Sequence, residues 1–252
     1  MNHLSLRHIF LSKALVLTSS LAFSQTSAPQ GLAGQMNLQA VARGDANVQM
    51  FDNRYQGVKG SPYYLDQWVP GSLVMKVGNT GKSESFTGLQ LKYDVFSNLL
   101  LAVVPQTKDT IQFGISPIIS FNLDLSGGGP ISFTRIKEAQ SLDANLRDAF
   151  FGVLYTDATG NTSLVKRIVK KKIDANFKGP YSSGQAYDEI VDETLYYVVA
   201  NGKMQRVKMN RKSVMEAFPE HAEKLKSYIS SQKLAMNSEG DLIKVVSYYQ
   251  SL

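Results

Sequence analysis

The sequence predicts a mainly β protein: an antiparallel sheet or partly closed β-roll finished by short C-terminal helices. Three observations predict it. Short runs rich in β-branched and aromatic residues alternate with period two. The connectors between them carry Gly, Pro, Asn and Asp and are too short for helical crossovers, which makes the pairing antiparallel. After Asn210 the apolar spacing lengthens to that of a helix.

The first strand signal, Leu73 to Val77, stops at Gly78-Asn79-Thr80-Gly81, whereas Trp68 and Pro70-Gly71 before it read as turn and strand edge. Phe86 to Tyr93 sets Leu89, Leu91 and Tyr93 on one face, and Leu99 to Val104 returns after Asp94–Asn98 as a hairpin. Thr110 to Phe113 and Ile118 to Leu123 follow, and Gly127-Gly128-Gly129-Pro130 precedes Ile131 to Ile136. Phe150 to Tyr155 and Leu164 to Ile173 flank the polar turn Thr156–Asn161. The second of these also fits a helix, on which Leu164, Val165, Ile168, Val169 and Ile173 would share a face; its Val and Ile content favours a strand. Thr194 to Val199 and Met204 to Met209 meet at Asn201-Gly202, a pair suited to the positive φ angles of a primed turn.

Helices complete the chain. Asn210 caps a short one through Phe218, and Pro219 opens a second in which Ala222, Leu225 and Ile229 share a face. Ser238 and Asp241 resemble a capping box, with Asp in place of Glu or Gln, before Leu242, Val245, Val246 and Tyr249 at helical spacing.

Residues 1–24 read as a signal peptide. Arg7 and Lys13 precede the uncharged run Ala14–Phe23, which is too short for the about 20 residues a bilayer requires. Ala22-Phe23-Ser24 supplies the small-x-small pattern for cleavage before Gln25. Residues 25–47, rich in Ala, Gln, Ser and Gly, read as a flexible leader, and 48–252 as a single β-rich domain with a helical C-terminus at 210–252. The expected location is the periplasm or the extracellular space, with no transmembrane segment in the mature chain.

Export narrows the chemistry. His3 and His8 leave with the signal peptide, so a Ser-His-Asp device would have to use His221, which reads as a solvated surface residue in the first turn of a helix. The chain has no cysteine, which excludes disulfides, thiolate catalysis and a lipid-anchored thioether. No metal or cofactor is expected: several His or Cys zinc ligands are lacking, and Gly127-Gly128-Gly129 lacks the Gly-Lys-Ser/Thr ending of a P-loop. The acidic cluster Asp188, Glu189, Asp192, Glu193 has no EF-hand spacing and reads as a solvated loop.

Removing Arg7 and Lys13 lowers the formal charge of +6 to about +4. Much of the basic excess falls in Lys166, Arg167, Lys170, Lys171 and Lys172, with Lys178 beyond. This basic patch is a candidate contact for an anionic polymer or lipid headgroups, but no nucleic-acid motif accompanies it and no nucleic-acid partner is expected. Aromatic pairs recur at Tyr63-Tyr64, Tyr196-Tyr197 and Tyr248-Tyr249, with Trp68 close to the first. Tyr63, Tyr64, Trp68 and Tyr196 are the candidate ligand-binding residues, suited to stacking on sugars or covering lipid chains. Neighbours in a strand point to opposite faces, so only one tyrosine of each strand pair can line a given surface.

Tyr55-Gln56-Gly57-Val58-Lys59-Gly60-Ser61-Pro62, Trp68-Val69-Pro70-Gly71, Leu91-Lys92-Tyr93-Asp94 and the tyrosine-bearing C-terminal helix resemble a loose group of exported, uncharacterised proteins of Bacteroidetes-type bacteria. The resemblance covers most of the chain after the signal peptide. It implies export and brings no catalytic residue. The expected function is therefore non-enzymatic: an exported envelope protein that binds a protein, glycan or lipid partner. Two alternatives stand beside it, a carrier of lipid or another apolar ligand in a β cavity and a carboxylate-dependent hydrolase.

Overall fold

The computed structural model describes residues 55, 57–76, 82–103, 110–179 and 183–252. The signal peptide, the leader and the Gly78–Gly81 stop lie outside them. Ten strands are present among the described residues: β1 (Val69–Lys76), β2 (Ser83–Asp94), β3 (Leu99–Val103), β4 (Thr110–Phe113), β5 (Ile118–Leu125), β6 (Gly129–Thr134), β7 (Phe151–Thr156), β8 (Ser163–Ile173), β9 (Glu189–Ala200) and β10 (Lys203–Val207). They form one mainly antiparallel sheet in the order β10-β9-β8-β7-β6-β5-β1-β2-β3-β4. Four helices accompany it: α1 (Ala139–Leu142), α2 (Arg211–Ala217), α3 (Ala222–Ser231) and α4 (Glu239–Gln250), with 3-10 turns at Ala144–Leu146 and Pro219–His221. None of the helices described is long and apolar enough to cross a membrane.

The sheet is open at its β4 and β10 edges, but two connections show that it curls. β4 and β5 stand at opposite ends of a five-strand stretch, about 19 Å apart if flat. The link Gly114–Pro117 reaches at most about 18 Å when fully extended, and it is folded into a turn in which Ile118 N–H donates to Ile115 O. The second connection is a strap at 57–64. On one side Lys59 pairs with the start of β9, where Lys59 N–H donates to Asp188 O at 2.9 Å and Ile190 N–H to Lys59 O at 2.8 Å. On the other, Tyr63 bridges Asp94 and Tyr64 N–H donates to Tyr93 O at 2.8 Å at the end of β2. A flat sheet would hold β9 and β2 far apart.

Side chains fill the inside of the curl. Leu73, Leu89, Leu91, Leu100, Ile111, Ile118, Phe121, Leu123 and Phe133 come from six strands into one core. Phe121 stacks on Phe133 at 4.8 Å, and Tyr93 and Phe150 meet Phe121 edge-on at 5.1 and 5.2 Å. Each such pair adds about 0.5–1.5 kcal/mol to the area term.

The β7–β10 half is covered on both faces, as strand alternation requires. Leu164, Tyr196 and Val198 face α2–α4, which supply Val214, Leu225, Ile229, Leu242, Val245 and Val246. Val165, Tyr197 and Val199 face the opposite way, against Ala139, Leu146, Ala149 and Phe151. The helix boundaries follow the caps: Ser213 N–H donates to Asn210 Oδ1 at 2.8 Å and Asp241 N–H to Ser238 Oγ at 3.2 Å. Asn201 and Gly202 both have positive φ, 52° and 67°, as the hairpin requires.

Leu164 to Ile173 forms strand, as its Val and Ile content favours, paired with β9 along its length and with β7 at its start. Two local expectations need correction. Pro70 and Gly71 lie within β1 and not in a turn; Gly71 is paired with β2 on one side and β5 on the other, and a Cβ there would come 2.2 Å from Asn122 O. The acidic run is no solvated loop, since Glu189 to Glu193 are paired residues of β9.

Candidate functional site

The register of β8 on β9 disposes of most of the basic patch. Lys170 stands opposite Asp192 and reaches it at 3.9 Å; Lys171 reaches Glu193 at 3.4 Å; Lys172 reaches Asp188 at 2.6 Å and Asp174 at 2.8 Å. Glu193 also takes Arg206 at 3.0 Å, and Glu189 takes Lys59 at 3.5 Å. The two charge runs that look separate in sequence therefore neutralise each other across one ladder. The hydrogen bond from Lys172, with the Ala175 N–H behind it, holds the Asp188 carboxyl below the usual carboxylate range. Among the described residues no group of three or more His, Asp or Glu side chains is placed to hold a metal ion.

Two of the four candidate tyrosine and tryptophan positions turn inward. Tyr196 is buried under α4 and donates its hydroxyl to Glu239 Oε1 at 3.0 Å; the same carboxylate receives Lys166 Nζ at 2.9 Å. Burial, reinforced by the Glu239 carboxylate, pushes the Tyr196 phenol up to about 12. Tyr64 packs edge-on against Phe133 at 5.0 Å, and burial raises its pKa, with Lys166 opposing. Lys166, Glu239 and Tyr196 thus fasten the start of α4 to the sheet.

The other two face outward together. Between its pairing with β2 at Tyr63–Tyr64 and its entry into β1 at Val69, the chain loops out through Leu65–Trp68, closed by a hydrogen bond from Ser61 Oγ to Asp66. This loop carries Trp68, 37% exposed, onto the outer face of β2. Lys92 alternates with the buried Leu91 and Tyr93 and so points to that same face, its ammonium 3.9 Å from the Tyr63 ring and 5.9 Å from the Trp68 ring. Tyr63 meets Tyr55 edge-on at 6.3 Å, and Tyr55 meets Phe96 at 5.9 Å. Phe96 is 40% exposed. Its backbone is pinned, since Val95 and Phe96 N–H both donate to Pro62 O and Asp94 accepts from Ser97 N–H at 2.9 Å and from the Tyr55 hydroxyl at 2.7 Å. The result is one strip, Trp68–Lys92–Tyr63–Tyr55–Phe96, with a cation set among the rings. Burial against the rings lowers the Lys92 pKa, with Asp66 opposing.

Phe96 also forms the lip of a cavity of 140 Å³ between the β2–β3 turn, the 145–149 segment and β8, lined by Tyr93, Asn98, Asp148 and Arg167 among others. A second cavity, of 340 Å³, lies at the opposite end between β9–β10 and the helices. His221 lines it, which sequence reasoning missed: the residue is half-buried, and its ring packs edge-on to Tyr249 at 5.4 Å, which itself stacks on Phe218 at 3.9 Å. The signal was present only as the i, i+3 neighbours Phe218 and His221, which say nothing of α4 arriving beside them. Among the described residues no side chain hydrogen-bonds to the His221 imidazole. Tyr55, Phe96 and Lys92 were likewise not singled out, because their convergence depends on the strap and the β2–β3 turn.

Compared with known proteins, the chain matches no family model, no curated protein and no solved structure.

Proposed function

We propose that this is an exported, non-enzymatic binding protein that holds an envelope glycan along the Trp68–Phe96 strip. The observation that carries the reading is the strip itself: Trp68 and Phe96 are exposed, and Lys92 lies between the rings at 3.9 Å from Tyr63. Rings in a row, interrupted by a polar group, suit the alternating apolar faces and hydroxyl edges of linked sugars better than they suit lipid chains, which need continuous apolar cover. A carrier reading draws no support from the curl, whose interior is occupied by Phe121, Phe133, Phe150 and Tyr93. A carboxylate hydrolase reading draws none from Asp188, Glu189, Asp192 and Glu193, whose charges are spent on Lys172, Lys59, Lys170 and Lys171.

The test is affinity electrophoresis of the folded protein through gels containing galactomannan, xylan, polygalacturonate or alginate. Retardation in at least one gel is expected. Trp68→Ala should abolish most of it, a loss of about tenfold in affinity, corresponding to about 1–2 kcal/mol for an exposed aromatic anchor, while leaving the melting temperature nearly unchanged because the ring lies outside the core. Unretarded migration in all four gels would remove the reading.

A further inference from the structure

We infer that the glycan is acidic and that its carboxylate is received by Arg167 in the cavity beside Phe96, a step that rests on the strip being the binding surface. Four residues of the basic segment have carboxylate partners: Lys166 with Glu239, Lys170 with Asp192, Lys171 with Glu193, and Lys172 with Asp174 and Asp188. Among the described residues none makes an ion pair or hydrogen bond with Arg167, although it is half-buried. On the ladder Arg167 stands opposite Leu195. A guanidinium carries five donors in a planar fork that matches a carboxylate bidentately.

The surroundings fit that occupant. The cavity of 140 Å³ has room for a carboxylate, and Phe96 at its lip offers a face for the sugar ring that carries it. Asn98 stands in the wall, held there by its own amide donating to Asp148 O at 3.0 Å and by the Tyr93 hydroxyl donating to its Oδ1 at 2.9 Å. Two carboxylates lie near. Asp94 is buried and engaged by Tyr55 and Ser97, while Asp148 lines the cavity on its exposed side without an ion pair to Arg167. Lys92, set among the rings of the strip, is a second half-buried cation; among the described residues no carboxylate lies within ion-pair distance of it, although Asp66 is near enough to act on its charge. A polymer with an acid on successive sugars would meet one cation among the rings and another in the cavity.

The experiment follows the emission of Trp68, the only tryptophan of the chain, while the wild-type protein is titrated with oligogalacturonate, its methyl ester and a neutral galacto-oligosaccharide. Tighter binding of the acid than of the ester by about tenfold is expected, as a charge-assisted contact gives. Arg167→Gln should bring the acid down to the ester and leave the ester unchanged; Arg167→Lys should keep part of the preference. Raising salt from about 50 mM to about 500 mM should weaken the acid alone. Equal affinity for acid and ester, or an undiminished preference in folded Arg167→Gln, overturns the inference and leaves the aromatic strip standing. If Arg167→Gln does not fold, the acid-to-ester comparison on the wild-type protein decides. A Trp68 emission that answers to none of the three overturns this inference, and the strip then stands or falls on the gel retardation above.

Discussion

Asp157 shows how much one residue can organise. It is buried in the β7–β8 turn, and its two oxygens accept from the N–H groups of Thr159, Asn161 and Thr162 and from the Thr159 hydroxyl, each at 3.0 Å. Burial by itself would raise its pKa, but these hydrogen bonds outweigh it and hold the carboxyl below its ordinary value. The sign follows from linkage: a depressed folded-state pKa gives stability that is fully present above the unfolded value of about 3.9 and is lost as pH falls through the folded one. Asp188, depressed by Lys172, acts in the same direction. Melting temperature should therefore decline below about pH 4, and Asp157→Asn should lower it at neutral pH while making the acid limb shallower. An unchanged acid limb in that variant would assign the acid sensitivity to Asp188 and its neighbours. The sequence marks this turn by its polar composition; that one carboxylate fastens it is a matter of geometry.

At the scale of elements, β1 is where sequence reading and structure part most usefully. Pro70-Gly71 carries the composition of a turn, yet Gly71 is extended backbone held between Leu89 of β2 and Leu123 of β5. A Cβ would meet Asn122 O at 2.2 Å and Leu91 Cδ1 at 2.8 Å. Gly71→Ala should accordingly cost roughly 3 kcal/mol by forcing β5 away, whereas Gly128→Ala, with nothing within 4 Å, should change stability by no more than about 0.5 kcal/mol. Urea unfolding of the two variants measures the difference. α1 is the converse case: four residues with no apolar period to announce them, placed by their fit of Ala139 into the β8–β10 face. The caps Asn210 and Ser238 were legible, because a cap is a local interaction between residues three apart.

Across the whole molecule, the core inside the curl and those on the two faces of the β7–β10 half hang on one sheet. Phe121 is fully buried in the curl and Leu242 fully buried under the helices. Phe121→Ala should cost about 3–5 kcal/mol and Leu242→Ala about 2–5 kcal/mol. The strands run without a break between the cores, and Lys166–Glu239 fastens the helices to β8. Both variants should thus shift one common transition, seen alike by Trp68 fluorescence, which reports from the strip, and by far-ultraviolet dichroism, which reports from α2–α4. Curves that separate would mean that the helical half unfolds by itself. The same continuity positions the candidate site, since Arg167 reaches the β2–β3 turn only because the strap at 57–64 draws β9 towards β2.

The sequence by itself determined the strands, the tight Asn201-Gly202 turn, the helix starts and the alternation that sends Tyr196 and Tyr197 to opposite faces, because each depends on residues a few positions apart. It also pointed to Tyr63, Trp68 and the basic segment as unusual. Tertiary structure alone decided which of those are available. The register of β8 on β9 neutralises Lys170, Lys171 and Lys172, the arrival of α4 covers Tyr196 and occupies Lys166, and the curl sets Tyr63, Trp68, Lys92 and Phe96 in line with Arg167. Charge and exposure are properties of what stands opposite a side chain. In this protein the partner is usually tens of residues away along the chain, as Glu239 is from Lys166.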